Sequence, residues 1–509
     1  VVTKGYSTSQ IPLKFNQSSS FFHGFLVPVF VSVILVSLFA DFLPVWFSNF
    51  ANQRFFQVFL VVFVTFVVLL VPASDGRANL WLDNWPAFLV AMGFLVLAVP
   101  VSGSDYRWVE PGMYAFFFLG FSVLGWGIRA LQCTEKAAIT LVAVIQIGCF
   151  FYAAMSLTMY VFAITDDFSK LVDVIPWGFV NMRYWSHLAT WFLPLLPLAL
   201  IYAPLRNNGL WRVGVFFTSG VWWWVALLTT SRGSMVSLAL AALIVLAIFG
   251  RATIPWLVVS VKFVLLGAVL WCLLSWAIPE LVFDETVIRT LHAGASGRMP
   301  LWREAWQMSL QNFPLGMGAQ SWLTHSSITP EYLFVQTLGH PHNMYLMWAA
   351  EYGWTLIAFV AVLLGVTLKR LLFLRGLIVS GSQEYASLMV AFTASCIAGL
   401  AHAGVSAVFL VPASMTVSLV VLAVFWALSL QPVENAFASE GESDAMPGRA
   451  RLKPMLAFAV LILGVAWGQE VWRYHQAMEA DLSVYAESPY APLLPRFWLH
   501  GNFPRPGSE

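Results

Sequence analysis

Charge is scarce in this chain. Of its 509 residues only 10% are Asp, Glu, Lys or Arg, and the formal net charge is +1. Near-neutrality, together with the lack of any basic tract carrying interleaved aromatics, removes nucleic acid as a partner. Cysteine is scarce too: there are four, with no CxxC pair, and Cys149, Cys272 and Cys396 lie inside apolar runs while Cys133 flanks a loop. Neither a disulfide frame nor a zinc site is implied. A nucleophile elbow, a P-loop, an HExxH helix and a dinucleotide fingerprint are all missing, which excludes the enzyme classes built on them.

What abounds is apolar sequence: 60% of residues are hydrophobic and the mean hydropathy is +0.78. Such a composition describes an all-α polytopic membrane protein. Runs of the length needed to cross a bilayer fall near 22–47, 54–73, 85–102, 109–128, 138–164, 186–204, 211–230, 234–250, 255–278, 344–367, 385–403, 408–430 and 454–468. About 12–13 transmembrane helices are therefore expected. The first run is too long for a signal-peptide core and is taken as a retained helix. The expected organisation is a cytoplasmic tail over 1–21, a transmembrane bundle over 22–430, a cytoplasmic linker over 431–453, a last helix over 454–468 and an irregular outer tail over 469–509. With the N-terminus inside, 14 of the 26 basic residues fall inside and 11 outside, and five of those outside share a few segments: Arg183, Arg232, Arg289, Arg298 and Arg303.

Those arginines define the segments to examine. "TTSRGS" places Arg232 between two apolar segments among small polar residues. A snorkelling arginine and an anion clamp fit it equally, the latter because a guanidinium matches phosphate oxygens. The bundle is interrupted by one long outer loop, 279–343, in which "ASGRMPLWREAW" opens an amphipathic helix over about 301–312. Leu301, Trp302, Ala305, Trp306, Met308 and Leu310 form its apolar face, so it should lie along the interface as a lid. Arg298, in the Gly/Ser loop before it, is freer to reach a ligand, whereas for Arg303 on the helix, pairing with a neighbouring acid such as Glu304 or solvating the polar face is the better reading. Asn181, Arg183 and His187 cluster at another outer helix mouth, where an interface belt explains them as well as a ligand does.

"GHPHNMYLMWAAEYGW" (339–354) sets two histidines and an asparagine before a membrane helix. A lone His-x-His is a weak metal pair, and interface polarity is the usual fate of such residues. The third reading is a general base, since an imidazole accepts a proton near neutral pH. Asn343 is placed to cap the helix and fix where His342 points. His402, in "IAGLAHAGVSAVF", is an ionisable residue within an apolar run and a functional candidate on that ground. The first outer loop, "SNFANQR", lacks the paired acids that several metal-dependent membrane glycosyltransferases place there, and Asp166-Asp167 read as solvated loop.

Taken in order, "TTSRGS", "SGRMPLWREAW…FPLGMGAQSW" and His342-Asn343 followed by nine residues and Gly353 resemble the O-antigen ligase superfamily, whose pattern at the last stretch is H-[NSQ]-x9-G. The resemblance covers mainly residues 175–425; Trp354-Thr355-Leu356 depart from the small residues that often follow the glycine. It implies a GT-C-like bundle in the bacterial inner membrane with its active site facing the periplasm. It also implies a glycan donor linked to undecaprenyl diphosphate and an acceptor that is lipid A-core or a protein. His342 would be the base, Arg232 and Arg298 the diphosphate clamp, and Arg183, Arg303, His340, Asn343 and His402 substrate-binding residues. The arginines would supply the positive charge that a metal otherwise brings, so no metal or cofactor is expected. A short outer tail favours a lipid A-core ligase over a protein transferase or a polymerase. The non-enzyme alternative is a lipid or anion transporter, against which the one-sided loop and the lack of inverted repeats count.

Overall fold

A computed structural model of the chain describes residues 17–44, 46–71, 79–98, 105–166, 170–202, 206–283, 297–334, 338–380, 383–430, 449–485 and 495–504. The expectations for Arg289, Asp167, the tail before residue 17 and the linker over 431–448 lie outside them. The described residues are helical and contain no strand. An all-α polytopic membrane protein is what the composition demands, because in lipid only a helix satisfies its own backbone hydrogen bonds.

Ten helices among the described residues are long and apolar enough to cross a membrane. Three differences from the expected spans have local causes. The segment 186–204 is broken: Met182–Phe192 ends in a turn that holds Pro194 and Pro197, each lacking an N–H, before the short helix Leu198–Ile201. The segments 234–250 and 255–278 belong to one run, Arg232–Phe283, divided at Gly250 (φ +57°), where Thr253 Oγ1 donates back to Val245 O at 3.1 Å. Gly209–Leu228 has spanning length but is not among the ten; it carries Arg212 near its start and three consecutive tryptophans.

The helices sort into inner and outer by how much they bury. Pro412–Ser429 is 94% buried and packs against Val109–Ala130, whereas the most apolar stretch of Arg232–Phe283 is only 11% buried. A helix with an apolar exposed face has lipid as its natural surrounding. Leu243, Leu246, Leu265 and Val269 belong to that exposed set.

The carboxy-terminal part departs most from expectation. The last helix runs over Arg449–Tyr485 instead of ending near 468, and residues 495–504 fold back into the bundle. Two buried arginines hold this return. Arg496 is salt-bridged to Glu110 (2.8 Å) and Glu351 (2.6 Å), with none of the three side chains exposed. Arg54 donates from Nε to Phe497 O (3.0 Å) and from Nη2 to Arg496 O (3.4 Å) and Leu410 O, and it lies 4.6 Å over the Phe497 ring.

Removing one member of a buried ion pair strands the other, at a cost of about 3–5 kcal/mol. Arg496→Met should therefore lower the thermal unfolding temperature in detergent clearly. Arg473→Met, which breaks the exposed pair with Glu470, should leave it nearly unchanged. Equal melting of the two variants would remove Arg496 from this role.

Candidate functional site

Three of the arginines come together. Arg183, Arg232 and Arg298 line one cavity of about 590 Å³, although they stand 115 residues apart at the extremes. Each is delivered by a helix start. Arg183 follows Asn181, whose Oδ1 accepts from the Arg183 N–H at 2.9 Å. Arg232 opens Arg232–Phe249, after a sharp turn in which Thr230 has φ +47°. Arg298 is the first residue of Arg298–Gln311, behind Gly297 at φ +66°. The expected lid helix thus begins three residues early, and Arg298 is a helical residue, not part of a mobile loop.

Hydroxyls fill in between the cations: Ser186, Thr229, Thr230, Ser231, Ser237 and Ser406 also line the cavity. None of its lining residues is acidic. Burial first, and the guanidiniums of Arg183 and Arg232 second, hold Arg298 below its usual pKa. An anion entering here would relieve that repulsion. The remaining wall is apolar, and Val236 and Leu240 continue with Leu243 along the exposed face of Arg232–Phe249. The cavity is therefore cationic at its head and opens sideways onto a lipid-facing stripe.

His402 lines the same cavity, with Nδ1 3.4 Å from Thr190 Oγ1. Its ring meets His187 edge-on at 5.0 Å, and His187 Nε2 is 2.7 Å from Ser406 Oγ. His187 was grouped with Arg183 in the sequence but not singled out; its complete burial and its Nδ1, which meets no partner, mark it as part of the site.

His342 lies within electrostatic reach of Arg183 and Arg298 in a left-handed backbone conformation, φ +56°. A non-glycine residue held there is strained, and strain of this kind concentrates at functional positions. His340 fixes it: its Nδ1 accepts from the His342 N–H (3.1 Å), and the two rings meet edge-on at 4.4 Å. Asn343 caps Met344–Ser380, its Oδ1 accepting from the Leu346 N–H at 3.0 Å. Both act on the backbone around His342, and none of the three lines the cavity. His342 Nδ1 is buried and meets no hydrogen-bond partner. Burial first, then the charges of Arg183 and Arg298, push its pKa down to about 3. The imidazole is neutral at physiological pH and able to accept a proton.

Arg303 does not join the site. It is exposed and pairs with Glu331 at 3.2 Å. Nor does it pair with Glu304, which is buried and bound by His325 (2.9 Å) and by the N–H groups of Ile328 and Thr329 (2.7 and 2.8 Å).

The spacing from His342 to Gly353 now has a cause. Gly353 interrupts Met344–Ser380 with φ +82°, ψ 171°, which frees carbonyls one turn earlier. Ala350 O and Glu351 O accept from Met317 N (2.8 Å) and Gly318 N (2.9 Å), so "FPLGMG" docks into the break. A Cβ on Gly353 would come within 2.1 Å of Pro314 O. Trp354 completes the lid attachment, with Nε1 donating to Ser309 Oγ (3.2 Å) and its ring meeting Trp306 edge-on at 5.4 Å. Of the expected apolar face, Leu301, Ala305 and Met308 are buried, while Trp306 and Leu310 stay exposed on the outer side.

Sequence reasoning also passed over Glu351, Glu110 and Arg496. Arg496 Nη1 donates to Gly339 O (3.3 Å), and Glu351 accepts from the Trp322 N–H (3.2 Å), so this buried cluster touches both the lid and the His340 loop. A single acid inside an apolar helix was the available signal.

Residues 215–361 match the family model described as O-antigen ligase. The match takes in the Arg232 junction, the lid helix and the whole stretch from His342 to Gly353. No curated protein and no solved structure matches the chain.

The lowered pKa of His342 makes a signed prediction. Above pH 6.5 the imidazole is neutral in the folded and the unfolded chain. As pH falls from 6.5 towards 3, only the unfolded chain takes up the proton, so this residue destabilises the fold progressively. In detergent-based unfolding between pH 7.5 and 4, His342→Gln should lose less stability than wild type, by a slope approaching about one proton. Parallel curves would place the His342 pKa near its ordinary value.

Proposed function

We propose that this chain, whose residues 215–361 match the O-antigen ligase family model, is a glycosyltransferase, and specifically an O-antigen ligase. It moves a glycan from undecaprenyl diphosphate to a hydroxyl of lipid A-core at the periplasmic face of the inner membrane. The observation that carries this reading is the cavity in which three guanidiniums meet a stripe open to lipid. A diphosphate needs the first and a polyprenyl tail needs the second.

In this mechanism Arg232 and Arg298 hold the diphosphate, with Arg183 and the hydroxyl rim completing its hydrogen bonds. The prenyl chain follows Val236, Leu240 and Leu243 into the bilayer. The acceptor hydroxyl gives its proton to His342 as its oxygen attacks the anomeric carbon from the face opposite the diphosphate. The bond from that carbon to the diphosphate oxygen breaks, its electron pair stays on the leaving group, and the arginines stabilise the charge. The products are the inverted glycoside and undecaprenyl diphosphate, and His342 releases its proton to water. The guanidiniums supply the charge compensation, so the mechanism invokes no metal.

The low resting pKa of His342 fits this order of events. Two of its causes are the charges of Arg183 and Arg298, which a bound diphosphate offsets. The base gains strength when the donor is in place.

Transfer of the lipid-linked glycan by purified protein tests the residues. His342→Ala should lower kcat by ~10²–10⁴ and Arg298→Ala by ~10²–10³, while EDTA should leave the wild type active. Full activity in either variant removes that residue from its role, and loss on chelation restores a metal. Deleting the gene tests the acceptor. Lost O-antigen above an intact core supports the ligase; a single-repeat ladder indicates a polymerase, and a lighter pilin a protein transferase.

A further inference from the structure

A second cavity, of about 450 Å³, opens on the other side of the helix Met182–Phe192. Arg183 and Ser186 face the cationic cavity and Tyr184 faces this one, so the two share one turn of helix as a wall. Successive helical residues point about 100° apart, and the cavities are separated by about one helix diameter, ~10 Å. Their chemistry is opposite. The second is lined by Asp41, Asn49 and Asp173, and by no Lys, Arg or His.

Its polar lining holds donors, from Ser48, Gln53 and Tyr184, beside a set of acceptors. Asn49 Oδ1 is buried and meets no hydrogen-bond partner, and Asp41 and Asp173 present carboxylates, which only accept. A ligand that satisfies them must donate. The walls are aromatic: Trp177 and Tyr184 line the cavity, and Phe42, at the rim, packs 5.4 Å from the Trp177 ring. The loop bearing Trp177 is held in place by Tyr152, whose hydroxyl donates to Trp177 O at 2.9 Å. Acceptor groups beside a fixed aromatic face are what a sugar ring requires, with hydroxyls on its edge and C–H groups on its face. Phosphate is excluded by the two aspartates.

We propose that this cavity is a carbohydrate subsite for an uncharged or amino sugar, adjoining the diphosphate cavity across the start of Met182–Phe192. The proposal rests on the glycosyltransferase reading, and it commits the second cavity to sugar and the first to phosphate. The sugar comes from one of two sources: the glycan of the donor, or an unphosphorylated sugar of the acceptor.

The test is direct binding to the full-length protein in nanodiscs, read by saturation-transfer NMR, with two phosphate-free probes. One is the oligosaccharide released by mild acid from the lipid-linked pool of the source cells; the other is dephosphorylated core oligosaccharide. One of them should bind, which identifies the source. Trp177→Ala and Asp41→Asn should weaken that binding about tenfold or more. Asp173→Asn, at an exposed position, gives a further variant that keeps the fold, and should weaken it in the same direction. Arg298→Ala should lose glycan transfer and keep probe binding, which separates this proposal from the one it rests on. If neither probe binds, if the three variants bind as wild type does, or if a lysine-rich peptide displaces the probe at lower concentration, the subsite is overturned.

Discussion

Arg496 lies between Glu110 and Glu351 with no exposed surface on any of the three, and much of the outer end of the molecule is referred to that point. Charges removed from water to this extent persist only when their hydrogen bonds are nearly complete. Here they are: both carboxylates are bound by the guanidinium, the Trp322 N–H adds a donor to Glu351, and Gly339 O takes another arginine hydrogen. Five parts of the chain meet in consequence: the start of Val109–Ala130, the helix after His342, the segment following the lid, the loop before His340, and the carboxy-terminal return. Other ties reinforce it: Met317 and Gly318 donate into the Gly353 break, Trp322 Nε1 donates to Leu338 O, and Arg54 holds the carboxy-terminal return.

The site inherits its rigidity from this arrangement. His342 holds an unfavourable backbone angle, which a free loop would relax. It is flanked on one side by Gly339, fixed by Arg496, and on the other by Asn343, fixed as a helix cap. The lid is attached twice over, at the Gly353 break and through Trp354, so Arg298 is presented from a supported helix end. The cationic cavity is thus preformed, and an anionic ligand would bind without first assembling it.

How far this was legible can be judged residue by residue. Arg183, Arg232 and Arg298 stood out because arginines beside apolar segments on the unexpected side are rare. Arg303 was included with them because it too falls on the outer side, in the same loop as Arg298. Once the lid helix starts at Arg298, five residues carry Arg303 about 140° around the axis, away from the cavity. Glu110 and Arg496 were illegible for another reason: 386 positions separate them, and each alone resembles a polar residue in a membrane border. The acceptor-rich cavity beside Tyr184 has the same character, since Asp41, Asp173 and Asn49 belong to three separate segments. The helical architecture needed no such pairing and followed from hydrophobic length alone. Its exceptions, at Pro194 and Gly250, arose where one residue changed the backbone.

A base with a pKa pushed down to about 3 is a poor base, and this constrains the chemistry. An activated glycan beside a strong base and water would be hydrolysed. After burial, the charges of Arg183 and Arg298 are what weaken His342; in the proposed mechanism both face the diphosphate, so a bound donor would offset that smaller part of the depression. Burial, the larger cause of the depressed pKa, is unaffected by the donor and keeps the imidazole away from bulk water. The hydroxyl that reaches His342 must then be carried there by binding energy of its own acceptor. On this argument the selectivity for acceptor over water resides less in His342 than in whatever holds the sugar beside it.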